Sequence, residues 1–387
     1  MKTIKFKENH EVKKGIIFLV FALLCNMGVS AQTEFVIGNL KYTTTSSSTV
    51  SVSKNEIITG KLVIPETVKY KGTQYSVTSI GQSAFRYCTG LTSVTIPNSV
   101  TSIGESAFEM CTSLTSLIIP NSVTSIGDFA FFYCYGLTSV TIGNSVTSIG
   151  EKAIYRCTGL TVINVDENNT SFSSIDGVLF NKSQTELIRY PEGKQGAYTI
   201  PNSVTSIGES AFGNCTELTS VTIGNSVTSI GKWAFNDCTG LTSVIIPNSV
   251  TSIGERVFES CTSLISIDIP NSVTSIGQQA FEDCTGLTDI YCHIEKPLTI
   301  TADVFKDVPT NTCTLHVPIG SKSKYKAANV WKEFNIVEDL PTGIVSIDNS
   351  QLTIDNGVWY TLNGVRLNGK PTKAGVYIVN GKKVVIK

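Results

Sequence analysis

The chain has 387 residues, a formal net charge of −1 and only 16% charged residues. That balance leaves no basic footprint for nucleic acid, and serine and threonine rather than charges carry most of the polar surface. Length alone predicts two or three domains, a prior that a fixed-period array overrides.

Lys2, Lys5, Lys7, Lys13 and Lys14 precede the apolar run Ile16 to Leu24, and Val29-Ser30-Ala31 follows. This order predicts a signal peptide over residues 1–31 and a mature start at Gln32. The apolar run is too short to span a bilayer comfortably. The rival reading, a lipid anchor on Cys25, is disfavoured by Leu24, because lipid attachment wants a small residue there. No later stretch predicts a transmembrane helix. The expected location is extracellular or at the cell surface, with the periplasm as the alternative.

Residues 32–61 predict a β-rich N-terminal cap, with strands at Phe35 to Tyr42 and Val50 to Val52. A repeat array is predicted over residues 62–338. Its first coil carries a hairpin-like insertion at Tyr70 to Tyr75. Cys88, Cys111, Cys134, Cys157, Cys215, Cys238, Cys261 and Cys284 mark copies of a 23-residue unit, and such a period means stacked coils. In the copy from Leu91 to Cys111, Leu91, Val94 and Ile96 alternate with outward Ser93 and Thr95, as in a short strand. Pro97-Asn98-Ser99 is a turn. Val100 and Ile103 point inward, and Gly104 allows a tight change of direction. Glu105 to Cys111 then predicts one or two helical turns, with Ala107, Phe108 and Cys111 on one face. The inward positions hardly vary between copies, the exceptions being Ile154 for Phe and Val257 for Ala. The positions flanking Ala-Phe vary freely and predict a solvated helical face. The periodic cysteines follow Ala-Phe at a fixed interval in an apolar slot, which predicts a ladder of buried free thiols over paired neighbours.

An insert is expected at about residues 166–198, a β-hairpin about Asn181-Lys182 built from Ser174 to Phe180 and Glu186 to Pro191. From about 288 to 338 the pattern decays into a C-terminal cap. There Phe305 keeps the Phe slot, Thr314 to Pro318 keeps the strand, and Tyr325 to Phe334 predicts a closing helix. Residues 339–343 read as a linker. Residues 344–387 predict a small β module, with hairpin turns at Asn363-Gly364, Asn368-Gly369 and Asn380-Gly381.

The pattern Leu-x-x-Val-x-Ile-Pro…Val-x-x-Ile-Gly-x-x-Ala-Phe-x-x-Cys, from about Gly60 to Glu338, resembles the BspA-like leucine-rich repeats of Bacteroidetes and some parasitic protists. The resemblance implies an α/β leucine-rich-repeat solenoid of short parallel strands and small helices, right-handed and exported. It also implies a role in adhesion to host matrix proteins and other bacteria. The tail, with Gly375 to Lys383, resembles the C-terminal sorting modules of secreted Bacteroidetes proteins.

Catalytic chemistry is sparse. His293 and His316 are the histidines left after the leader, and no base stands beside a nucleophile at recognisable spacing. Cys292, His293, Cys313 and His316 invite a metal reading. Adjacent strand residues face opposite ways, which argues against convergence. A Cys292–Cys313 disulfide stapling the cap and two buried thiols are the readings that remain. No cofactor is expected. The variable face of the early coils carries Tyr87, Met110, Phe129, Phe132, Tyr133 and Tyr155, with Tyr135 just beyond; Trp233 is the one aromatic at these positions in later coils. An exposed aromatic patch marks a partner site, a surface covered from within the chain by the insert or N-cap, or scattered neutral surface. The sequence therefore predicts a monomeric, non-catalytic protein that binds a protein or glycan partner in adhesion. The alternative is a secreted or periplasmic scaffold without a host partner.

Overall fold

The computed structural model describes residues 32–340 and, beyond them, Trp359–Thr361, Arg366–Leu367, Pro371, Gly375–Val379 and Lys382–Ile386. The expected leader lies outside the described residues. Each coil has three sides. The first is a strand such as Ser116–Ile119 or Ser139–Ile142, paired in parallel and in register with its neighbours, Val140 beside Leu117 and Ile142 beside Ile119. The second is a two-residue Ser-Ile strand, Ser102–Ile103 beside Ser125–Ile126 beside Ser148–Ile149. The third is the segment predicted to be helical, which is not a helix.

In that third side Ser106 and Met110 have φ of +53° and +62°, and the same two places are left-handed in Phe129, Tyr133, Trp233 and Asp237. With a left-handed residue at each end of the segment, every second amide points along the stack axis, while those between bond three residues back, as Ala107 does to Gly104 and Glu109 to Ser106. Ser106, Phe108 and Met110 therefore donate to the Asp128, Ala130 and Phe132 carbonyls of the next coil at 2.9, 2.7 and 2.8 Å. Left-handed backbone costs a non-glycine residue about 1–2 kcal/mol. The cross-coil bonds offset that cost, and a helix could not have made them, because its amides point along its own axis rather than across to the next coil. Among the described residues the only α-helix is Lys322–Ala327, with 3-10 turns at Ala302–Phe305 and Trp331–Glu333. The single closing helix expected over Tyr325 to Phe334 is thus a helix and a 3-10 turn.

The coil interior follows the sequence pattern. Leu114, Leu117, Ile119, Val123, Ile126, Ala130, Phe131 and Cys134 are all buried. The phenylalanines stack face to face, with Phe108–Phe131 centroids 5.4 Å apart and Phe235–Phe258 also 5.4 Å apart. The column ends where Trp331 and Phe334 meet Phe305 edge-on at 5.5 and 5.1 Å. Gly104 is needed for close approach rather than for a turn: a Cβ there would lie 2.8 Å from the Gln82 backbone nitrogen of the preceding coil. The threonine face is bonded as well as solvated. Thr124 and Thr138 each donate both amide and hydroxyl to the carbonyl of the threonine one coil back, Thr101 and Thr115.

The ten described cysteines are free and buried. A ladder thiol reaches back to the Phe carbonyl of the preceding coil, Cys134 to Phe108 at 3.2 Å and Cys238 to Phe212 at 3.0 Å. The slot therefore wants a small apolar residue with one weak donor. Burial pushes the Cys134 and Cys261 thiols well above their ordinary range, so the thiolate needed for reaction is suppressed. The Cys292–Cys313 disulfide is absent, for a reason of register. Cys313 precedes Thr314, which pairs with Asp289, whereas Cys292 lies three residues past Asp289. The two are four places apart along adjacent strands, about 13 Å at the strand rise, against a bridging limit near 7 Å. Cys292 instead contacts the Tyr325 hydroxyl at 3.1 Å. Thiol titration of the unreduced chain from Gln32 onward, which lacks Cys25, should therefore find ten reactive groups in denaturant and almost none in native buffer. A denatured count of six or fewer would contradict the ladder.

The ends and the insert differ from expectation in detail. The N-terminal hairpin Glu34–Ile37/Leu40–Thr44 and the strand Thr49–Val52 run on into the Ser-Ile ladder through Thr73–Ile80. The insert is a three-stranded meander, because Ser174 to Phe180 folds back on itself. Phe172–Ile175 pairs antiparallel with Val178–Asn181 around Asp176-Gly177, at φ of +50° and +78°. Glu186–Arg189 follows, and its parallel partner is Ser206–Ile207. The expected linker begins too early: Asp339 and Leu340 end the strand Asn335–Leu340, and Leu340 is buried. In the tail, Trp359–Thr361, Arg366–Leu367, Gly375–Val379 and Lys382–Ile386 form one antiparallel sheet.

Candidate binding cleft between two stacks

The insert divides the apolar interior in two. One core runs from Phe35 to Ile163 and takes Leu179; the other runs from Ile200 to Ile336 and takes Val178 and Phe180. Strand alternation explains the split: successive residues of Val178–Asn181 face opposite sides, so one strand walls both cores.

The turn side pays the cost of this division. The insert coil has no Ala-Phe-x-x-Cys segment. In its place stands Arg189-Tyr190-Pro191-Glu192, and backbone groups on both sides lose their regular partners. The Arg156 amide, which in other coils would find a carbonyl, donates to Glu192 Oε1 at 2.7 Å. On the far side Tyr190 fills the Phe slot and keeps its regular bond, its amide donating to Ala211 O at 2.8 Å, but Gly213 O has lost the amide that would face it. Arg189 donates to Gly213 O at 3.3 Å and to Ser210 O. Arg189 and Glu192 are themselves ion-paired and buried. Two charged side chains thus take over the bonds that the shortened turn leaves unmade, at the Arg156 amide and the Gly213 carbonyl. Burial pushes the Glu192 carboxyl up to about 7, against the opposing pull of Arg189 and the Arg156 amide.

A one-coil notch is left open above this strut. Its two walls are the turns 152–156 and 233–237, side by side in register. Tyr155 Oη meets Asn236 Oδ1 at 3.5 Å, Arg156 meets Asp237 at 3.1 Å, and Lys152 Nζ lies 5.3 Å from the Trp233 ring centroid; each pair is 81 residues apart. The cleft has a volume of about 410 Å³ and is bounded by Phe129, Phe132, Tyr133 and Tyr155 on one side and by Trp233, Asn236, Asp237 and Glu259 on the other. That is within the range of about 300–1,000 Å³ typical of small-ligand sites. Gly213 is shaped to it: a Cβ there would lie 2.9 Å from Tyr155 Cε2, so only glycine lets the ring lie down over the strut. The Arg189 guanidinium sits 4.7 Å below that ring.

Four of the seven aromatic and Met positions singled out in the sequence therefore share one site. Phe132 is their hub, 5.4 Å from Phe129, 4.1 Å from Tyr133 and 6.1 Å from Tyr155. Tyr135 touches Tyr133 at 5.6 Å but lies outside the cleft, and Tyr87 stands exposed two coils away beside Arg86. Met110 is half-buried and also does not line it. The patch is partly covered, by the turns beyond the insert and, at the buried Tyr155, by Arg189 of the insert, but not by the N-cap. Lys152, Arg156, Asn236, Asp237 and Glu259 were not singled out from the sequence, because they are ordinary surface residues until the stacks face one another.

The histidines lie elsewhere. His316 bridges Asp339 at 2.8 Å and Asp289 at 3.1 Å, and His293 meets Asp268 at 3.3 Å, all on the strand side. Neither lines this cleft or the second hollow, which runs along the strand ends past Ile118 and Asn121.

Comparison with known proteins agrees with this architecture. No curated protein matches the chain. Among solved structures, the pneumococcal vaccine antigen PcpA is 21% identical over 79% of this chain and 98% of its own, with a TM-score of 0.58. A leucine rich cell surface protein of Faecalibacterium prausnitzii is 27% identical over 84% and 97%, TM-score 0.46. A leucine-rich repeat protein of Eubacterium ventriosum is 22% identical over 82% and 87%, TM-score 0.48. The family model for the BspA type leucine rich repeat region matches residues 70–187 and 190–311, more than half of the sequence, and the chain belongs to that family.

Proposed function

We propose that the protein is an exported, non-catalytic repeat scaffold that binds an extracellular partner in adhesion, and that the cleft between its stacks is the recognition site. The observation that carries this reading is the convergence of Phe129, Phe132, Tyr133 and Tyr155 with Trp233 across the notch. The fold does not ask for these rings. At the left-handed place of Phe129 and Trp233, other coils carry serine, lysine, arginine or glutamine, as Ser106, Lys152, Arg256 and Gln279 show. Bulky rings are the residues least suited to such places, and their presence at Phe129, Tyr133 and Trp233 points to selection for contact. The strand side repeats the same serines and threonines coil after coil and carries little information. The leader over residues 1–31 directs export in this reading, and the tail acts as a sorting or attachment module.

A matrix-protein and glycan array probed with the chain from Gln32 onward tests it, beside the triple variant Phe129→Ser, Phe132→Ser and Tyr133→Ser. These rings are half-buried and outside the core, so the variant should keep most of its stability. Its affinity should fall by about tenfold or more, the loss of a hot spot of a kcal/mol or two. A hit that survives the triple substitution would reject the cleft as the site. A blank array would favour a scaffold without a host partner.

A further inference from the structure

From the chemistry of the cleft, and resting on its assignment as the binding site, we propose that its ligand is an uncharged oligosaccharide, gripped between the Trp233 ring and the half-buried Phe132 and Tyr133 rings. Three observations lead there.

First, every cation at the cleft is already matched. Lys152 pairs with Glu151 at 3.2 Å, Arg156 with Asp237 at 3.1 Å and Arg256 with Glu259 at 3.6 Å. An ionic ligand would have to break one of these pairs to gain another of the same kind, an exchange with little net gain in a solvated site. A polyol loses nothing of that sort. Its hydroxyls both donate and accept, and they can add to carboxylate, amide and guanidinium groups that stay paired.

Second, those groups are planar and held in place. Asn236 donates to Glu259 at 3.1 Å and meets the Tyr155 hydroxyl, while Asp237 is fixed by Arg156. Pre-set planar donors and acceptors suit vicinal hydroxyls and cost little ordering on binding. The rings supply the other half of the match. The negative face of an aromatic ring attracts polarised C–H groups, and the C–H face of a pyranose presents several of them together.

Third, the alternatives lack their own requirements. An added peptide strand needs an open sheet edge, whereas side chains of turns line this cleft. An amphipathic helix needs an apolar groove, and most of the residues lining these walls are polar or charged.

Tryptophan emission gives a direct readout. Of the three tryptophans, Trp331 and Trp359 are buried and Trp233 alone is partly exposed. The chain from Gln32 onward is titrated with neutral trimers of glucose, galactose, mannose and N-acetylglucosamine, and with sulfated and sialylated oligosaccharides. At least one neutral trimer should shift the emission with a Kd of about 1 mM or tighter. Trp233→Ala should lose that binding by at least tenfold in calorimetry, and Trp233→Phe, which keeps a ring, should retain most of it. The Phe variant keeps the test decisive if the Ala variant folds poorly. Failure of every neutral trimer to bind would overturn the proposal, as would tighter binding of the anionic set or equal binding to Trp233→Ala. If no saccharide binds but protein adhesion is still lost in the Phe129/Phe132/Tyr133 variant, the site stands and the saccharide assignment falls. If neither responds to substitution in the cleft, both fall.

Discussion

Arg189→Ala should destabilise the chain by about 3–5 kcal/mol, the cost of leaving a buried charge without its partner. The substitution strands the Glu192 carboxylate and takes a donor from the Ser210 and Gly213 carbonyls. It also loosens the joint between the two cores, so unfolding in urea should change from one transition toward two. Glu192→Gln should be milder, because an amide oxygen can still accept from the Arg156 amide. That variant also tests the titration. The Glu192 carboxyl is raised in the folded chain from 4.5 to about 7. The folded state therefore binds its proton more tightly than the unfolded state. Stability from this group is fully present below about pH 4.5 and is lost as pH rises through 7. Wild-type stability should fall between pH 5 and pH 8 relative to Glu192→Gln, and parallel pH profiles for the two would refute the assignment.

Phe235→Ala should cost a similar amount, about 3–5 kcal/mol, from lost burial plus the cavity that rigid neighbours leave. The ring is fully buried between Phe212 and Phe258, at centroid distances of 4.8 and 5.4 Å. Each coil contacts only its neighbours, so the damage should be local first. Hydrogen exchange should show the coils at Phe212 and Phe258 losing protection before the N-terminal core does. Thr242→Ala, which removes one exposed hydroxyl bond to Thr219, serves as the control and should fall within about 0.5 kcal/mol of wild type. Equal effects for the two would mean that the column is not what holds the stack.

The repeat's core was legible because one set of side chains meets the same requirement in every coil. Leu91, Val94 and Ile96 on a strand, and Ala107, Phe108 and Cys111 on the following segment, follow from periodicity alone. The shape of that segment did not. Apolar residues spaced as Ala107, Phe108 and Cys111 suit a helical face and a left-handed turn ladder equally. The deciding φ values fall on Phe129, Tyr133 and Trp233, residues whose own preference speaks against them. Register hid the fate of Cys292 and Cys313, since linear spacing does not say which residues lie abreast. The aromatic patch was visible as a departure from the repeat. Its far wall was not, because Tyr155 and Asn236 meet only across an insert that omits one turn. The one local hint was Gly213, small where Glu109 and Phe132 stand in other coils.

A double-mutant cycle between Phe132 and Trp233, residues on opposite walls of the cleft, tests the two-walled site most directly. The dissociation constant of the chain for the array hit is measured for wild type, Phe132→Ser, Trp233→Ser and the double variant. One shared site predicts that each single substitution weakens binding by about tenfold and that the double loses clearly less than the product, a coupling above about 0.5 kcal/mol. Full binding by Trp233→Ser, with Phe132→Ser impaired, would show that recognition uses one exposed face and that the cleft between the stacks is not the site.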